Sequence, residues 1–298
     1  MLGMARLGLV FLPQVASNQL TVLPADDESF LVSILRDTPA TSTPFMQRIP
    51  QTLHAPRARL IAMGGGGFSQ GTDPALEAFV LRHAAGAATR IGYIATASGY
   101  EATAIARFHQ RFERHCAHTT DMPPGMQGTP AAQWLQSLDT VFVGGGNTAR
   151  LLALWREAGL DRLLLDAAGE GLLLAGVSAG AMVWFEAGLS DALGAGLAPL
   201  PGLGLFSGSF CPHYDSEPQR QPALHTAIAS GQLPRGLALD DGAAVLLDAS
   251  GVREVCLARP HCSAYFLHAR LGRCLSRQLA APLKPCVPIG LRSSYTQH

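Results

Sequence analysis

Three short apolar runs in this chain each end in a cluster of glycines. Leu60–Met63 leads into Gly64-Gly65-Gly66-Gly67, Val141–Val143 into Gly144-Gly145-Gly146-Asn147, and Leu172–Val177 passes through Gly176 to Ser178-Ala179-Gly180. Short apolar runs separated by helix-length segments are the pattern of strands buried on both faces of a sheet covered by helices. The pattern predicts strands at Leu60–Met63, Ile91–Thr96, Val141–Val143 and Leu172–Val177, and helices at Pro74–Ala85, Ala102–Cys116 and Thr148–Ala158. Asp73 ahead of Pro74 is expected to cap the first helix. After Ser209 it predicts a strand to Pro212, a helix at Pro222–Ser230, and strands at Leu237–Leu239, Ala243–Leu247, Val252–Leu257 and Ala264–Leu267.

The expected organisation is a single α/β domain over residues 57–269, with a mostly parallel sheet flanked by helices. Residues 1–56 show no sustained period and are expected to be a poorly ordered N-terminal extension, and the Arg- and Pro-rich residues 270–298 an irregular tail. Hydrophobic residues make up 48% and charged residues 15%, enough apolar surface to bury a full core. Formal net charge is +0, so the basic excess that a nucleic-acid partner requires is missing. Lys284 is the one lysine, which excludes a Walker A lysine, a Schiff-base lysine and a Ser-Lys dyad from residues 1–283.

The longest near-continuous apolar stretch, Leu172–Phe185, is short of the roughly 18 residues a membrane-spanning helix needs. Arg6, the run Leu7–Phe11 and the small Ala16 and Ser17 make a weak signal-peptide pattern, broken by Pro13. The six cysteines have no C-x-x-C spacing, so reduced thiols and a cytoplasmic location are expected.

Chemistry concentrates at the glycine turns, because ligands of an open parallel sheet bind beyond the carboxyl ends of its strands. Gly176-Val177-Ser178-Ala179-Gly180, after a buried strand and before the helical Ala181–Phe185, matches a nucleophile elbow. The simpler alternative is a serine that caps the helix. An elbow would aim the Ala179 N–H at an oxyanion, with Gly146 on the neighbouring turn as the second donor. His213 ends a short strand and opens the polar run Tyr214-Asp215-Ser216-Glu217, which suits a base facing the crevice. His109, His115 and His118 with Cys116 share their segment with Arg107, Arg111, Glu113 and Arg114, and read as a solvated helix face rather than a metal site.

Val143-Gly-Gly-Gly-Asn-Thr148, Gly176-Val-Ser-Ala-Gly-Ala181 and Pro212-His213-Tyr214, in that order, resemble the peptidase E family of serine peptidases, which includes aspartyl dipeptidase and has cyanophycinase as a relative. The resemblance implies a fold related to class I glutamine amidotransferases (flavodoxin-like), no metal or organic cofactor, and a small peptide as substrate. It implies Ser178 as nucleophile, His213 as base, and Gly146 and Ala179 as oxyanion donors. Asp241, before Gly242, stands where aspartyl dipeptidase has the glutamate of its triad. Asp191 matches a second family aspartate that shapes the site, Asn147 a substrate-binding position, and Arg220 the place of an arginine that reads an acidic substrate side chain.

The expected activity is hydrolysis of dipeptides or small peptides, including those with N-terminal Asp. Three alternatives stand beside it. One is cyanophycinase-like cleavage of Asp–Arg linkages. A second is an α/β-hydrolase esterase using Asp241 with the later His261 or His268, although Met63 replaces the histidine of its oxyanion motif. The third is a small-molecule-binding protein without turnover.

Overall fold

The structure, a computed structural model, describes residues 55–279 apart from Ala195. The expected extension at 1–56 therefore lies almost wholly outside the described residues. The chain runs β1 (Arg59–Met63), α1 (Pro74–His83), β2 (Arg90–Ile94), α2 (Ala102–Phe112), β3 (His118–Asp121), α3 (Gly128–Gln136), β4 (Thr140–Val143), α4 (Thr148–Ala158), α5 (Leu160–Glu170), β5 (Leu173–Val177) and α6 (Ala179–Met182). It continues through β6 (Phe185–Ser190), β7 (Ala198–Pro201), β8 (Phe206–Cys211), α7 (Arg220–Ala229), β9 (Gly236–Leu239), β10 (Ala243–Asp248), β11 (Gly251–Leu257), β12 (Ala264–Arg270) and β13 (Arg273–Gln278).

The strands form two sheets, and both are mixed. The first has the order β11-β10-β1-β5-β4-β2-β3. Its β1, β2, β3, β4 and β5 pair in parallel, while β10 lies antiparallel to β1 and to β11. The second, β13-β12-β9-β8-β6-β7, is parallel only where β8 meets β6 and β9. The expected mostly parallel sheet thus accounts for the first half of the domain. Among the late strands, β10–β11 and β12–β13 are hairpins, and a short connection between paired strands makes them antiparallel.

Strand alternation divides the core. Leu60, Ala62, Val141, Val143 and Leu174 face one side of the first sheet with Leu151, Trp155 and Leu164 of α4 and α5. Ile61, Met63, Phe142, Leu173 and Ala175 face the other with Phe79 of α1 and Phe108 and Phe112 of α2. With both faces covered, β4 and β5 are buried at every position, which is why they read as continuous apolar runs. The second sheet shares Phe185, Phe206, Phe210 and Leu237 with the first of these layers, and α7 covers its other face through Leu224, Ala227 and Ile228.

Several elements depart from expectation. The first helix ends at His83 and the second at Phe112. Asp73 does not cap α1: it sits at φ 48°, ψ 58° with no side-chain bond to the helix, and its carboxylate takes Arg259 Nε and Nη2 at 2.8 and 2.7 Å. The helix after Ser178 is one turn long, because Phe185 already belongs to β6. The tail expected to be irregular from residue 270 begins with an ordered strand, β13, whose hairpin partner is β12.

Candidate active site

The carboxyl ends of β1, β4 and β5 carry the three glycine turns, and each glycine run answers to a close approach. At the end of β5, Ser178 adopts φ 55° and ψ −119°, a strained backbone for a residue with a Cβ. Its side chain makes no capping bond to α6, so the helix-cap alternative does not hold. A Cβ at Gly176 would overlap the Gly180 carbonyl, and one at Gly180 would overlap the carbonyl of Val143. The elbow therefore closes only with glycine on both sides of the serine. Gly145, on the β4 turn, lies over Ser178, its would-be Cβ 3.3 Å from the serine Cβ. Gly146, at φ 137°, packs against the Ala97–Ser98 peptide. Among the described residues, the N–H groups of Gly145, Gly146 and Ala179 have no hydrogen-bonded acceptor.

The tetraglycine turn after β1 holds the other half of the site. Met63 O accepts the Ser178 N–H at 3.1 Å, and Gly64 O, one residue on, accepts the His213 N–H at 3.3 Å. His213 follows β8 and takes φ 51°, so serine and histidine both hang in strained conformations from adjacent carbonyls of β1's end. His213 Nδ1 lies 2.7 Å from Asp241 Oδ1, in the turn between β9 and β10. Gly65 fits against this pair: a Cβ there would overlap Asp241 Oδ1 and stand 2.7 Å from His213 Nδ1. Gly65 O also accepts the Gly242 N–H at 3.0 Å.

Asp241 is buried, which raises its pKa, but the hydrogen bond and charge of His213 and bonds from Gln70 and Ser216 outweigh this and hold the carboxyl below its ordinary value. An ionised Asp241 fixes the His213 proton on Nδ1, and Nε2 is left with the lone pair a general base needs. The adjoining Asp240 behaves oppositely. Burial, the nearby Asp215 and Asp241 push it up to about 6 against the Ser263 N–H that it accepts at 2.8 Å.

The remaining expected residues have other commitments. Asn147 caps α4, its Oδ1 accepting the Arg150 N–H at 2.8 Å, and its Nδ2 donates to Ala192 O at 3.3 Å. Asp191, exposed and next to Ala192, thus lies beside the β4 turn but makes no bond to His213. Arg220 corrects its expectation. It is 4% exposed, donating from Nε and Nη2 to Glu217 and from Nη1 to Leu189 O at 3.1 Å, so its fork is already filled. The esterase reading loses its base, since the histidine on Asp241 precedes it in the chain and is neither His261 nor His268.

Two supporting residues escaped the sequence reading. Asp215 Oδ1 accepts the Asp241 N–H at 2.8 Å, and Gln70 Nε2 reaches Asp241 Oδ2 at 3.4 Å. Asp215 was visible as part of the polar run after His213; nothing marked Gln70.

Residues 60–255 match the model of peptidase family S51. An uncharacterized peptidase of Bacillus subtilis (strain 168), YgaJ, is 42% identical over 191 residues, 63% of this chain and 82% of that protein. Among solved structures, a peptidase from an acI-B1 Actinobacterium has the same fold with a TM-score of 0.57 at 17% identity, covering 75% of this chain and 94% of its own.

Proposed function

Because this chain belongs to peptidase family S51 and is a serine-type peptidase, we propose that it hydrolyses dipeptides or small peptides through a Ser178-His213-Asp241 triad. The observation that carries the reading is the pairing of a strained, uncapped Ser178 with a histidine whose Nδ1 is held by a carboxylate, both suspended from the end of β1.

In this reading Ser178 Oγ attacks the scissile carbonyl while His213 Nε2 takes its proton. The tetrahedral oxyanion is received by the N–H groups of Gly146 and Ala179, which have no acceptor of their own among the described residues. The imidazolium, stabilised by Asp241, then protonates the leaving amine, and water repeats the sequence on the acyl-enzyme. Asp191 and Asn147 shape the wall beside the oxyanion turn. Arg220 takes no part, so a preference for N-terminal Asp would need another cation. The reading takes the first sheet as the class I glutamine amidotransferase-like core, and it needs no metal or organic cofactor.

Purified protein assayed against a panel of dipeptides, including Asp-Xaa, and longer peptides tests the proposal. Release of free amino acids that disappears in Ser178→Ala supports it. Turnover confined to Asp–Arg linkages would favour the cyanophycinase-like alternative, and absence of both turnover and covalent labelling of Ser178 by an acylating probe a binding protein.

A further inference from the structure

α2 and the turn after it present Arg107, Gln110, Arg111 and Arg114 to an open cleft of about 420 Å³ that Phe68 and Gly71 also line. The spacing of three, one and three places these side chains on one helix face, opposite the buried Phe108 and Phe112. The chain as a whole carries no net charge, and elsewhere Arg82, Arg90, Arg220, Arg253 and Arg259 each sit on a carboxylate within 4.0 Å. Here, among the described residues, Arg107 and Arg114 have no carboxylate within 4.0 Å, and Arg111 has only Glu77, whose Oε2 is 3.9 Å from its Nη1.

Glu77 is a poor counterion for them. It is buried beneath the glycine turn with Oε1 bonded to the Phe68 N–H, and burial pushes its pKa up to about 7 in spite of Arg111. Positive charge is therefore left uncompensated at a concave surface. Arg107 Nη1 donates to Ser69 O at 3.0 Å, and Arg111 is drawn towards Glu77. Guanidinium forks are the donors that bind paired oxyanions bidentately, and the volume falls in the range that takes a small molecule.

We propose that this cleft binds a small polyanion, presenting two or more phosphate or carboxylate groups to Arg107, Arg111 and Arg114. None of the cleft's lining residues is Ser178, His213 or Asp241, but Gln70, on the turn between the lining Phe68 and Gly71, bonds Asp241, so anion binding is measured directly rather than through peptide turnover.

Isothermal titration of the full-length protein with pyrophosphate and, in parallel, citrate tests it. The expected result is one bound anion per chain, with Arg107→Gln and Arg114→Gln each weakening the tighter ligand by roughly 10-fold or more, as for loss of a hydrogen bond to a charged group. Arg107→Lys, which keeps the charge without the fork, should recover part of the loss. Arg162→Gln, an exposed arginine on α5, should leave binding unchanged. Tighter pyrophosphate marks a phosphate-bearing ligand, and tighter citrate a polycarboxylate. Absence of binding by both anions, affinities unmoved by the Arg107 and Arg114 variants, or an equal loss in Arg162→Gln would overturn the proposal. Thermal melts of each variant establish that a loss is not unfolding.

Discussion

The carboxylate of Asp215 accepts the backbone N–H of Asp241 at 2.8 Å. The segment that supplies the base therefore also anchors the acid that orients it, since Asp215 is two residues beyond His213. Asp215→Ala is expected to lower kcat by about 10-fold, the scale of one lost hydrogen bond to a charged acceptor, with KM little changed. Asp215→Asn, which keeps an acceptor oxygen, should recover most of the rate. Steady-state kinetics of the two variants check this, and equal defects would assign the effect to charge rather than to the hydrogen bond.

Ser178→Ala should abolish peptide hydrolysis while leaving circular dichroism and melting temperature close to wild type. Loss of a triad nucleophile costs on the order of 10⁶ in kcat. Near-normal turnover by the purified variant would remove Ser178 from the mechanism.

The two candidate carboxylates separate cleanly. Asp241→Asn reverses the bond that fixes the His213 tautomer and should cost roughly 10⁴ in kcat. Asp191→Asn changes an exposed residue that does not touch the imidazole and should retain far more activity. The opposite ranking in kcat/KM would move the triad acid to Asp191.

Gly65→Ala tests the glycine turn without replacing a titratable group. Its methyl would occupy the space of Asp241 Oδ1, so the His213–Asp241 contact must open. The expected outcome is a fall in kcat approaching that of Asp241→Asn, with the chain still folded. Full activity would mean that the turn can retreat from the pair.

Glu77 predicts a pH dependence of stability. Its folded pKa, about 7, is raised by burial above the unfolded value near 4.5. A carboxyl raised in this way binds its proton more tightly when folded. Its contribution is fully present below the unfolded pKa and is lost as pH rises through the folded one. Each pH step of one between those two values removes about 1.4 kcal/mol, so wild type should lose up to roughly 3 kcal/mol from this source by about pH 8. Glu77→Gln keeps an acceptor for Phe68 and should show a flatter profile. Parallel denaturant titrations at several pH values compare the slopes, and identical slopes would refute the assignment.

The parts of this molecule that were legible beforehand are those in which a backbone constraint forces a residue type. Gly176 and Gly180 had to be glycine because carbonyls occupy their Cβ positions, and that necessity marked Ser178 in the sequence. β4 and β5 were legible because burial on both faces makes them apolar throughout. β3 was not: His118-Thr-Thr-Asp121 is a half-exposed edge strand, and its pairing with β2 leaves no apolar trace. Asp73 misled for a related reason. An aspartate before a proline is a local cap signal, but a distant partner, Arg259, claims the side chain. Arg220 and Gln70 show the same limit, since Leu189 and Asp241, distant in sequence, take part in setting their roles, although Glu217 lies only three residues before Arg220.

Suspension of Ser178 and His213 from the neighbouring carbonyls of Met63 and Gly64 gives the site a built-in ruler one peptide unit long. Consecutive Cα atoms are about 3.8 Å apart whatever the side chains, so drift in the surrounding sequence leaves that spacing intact. Length changes are another matter. A single residue inserted between Met63 and Gly64 would lengthen the ruler, while the same insertion at the exposed Leu271–Gly272 tip of the last hairpin would pass unnoticed. Loop grafting, circular permutation or fusion of this chain should therefore use the hairpin tip and leave the end of β1 uncut.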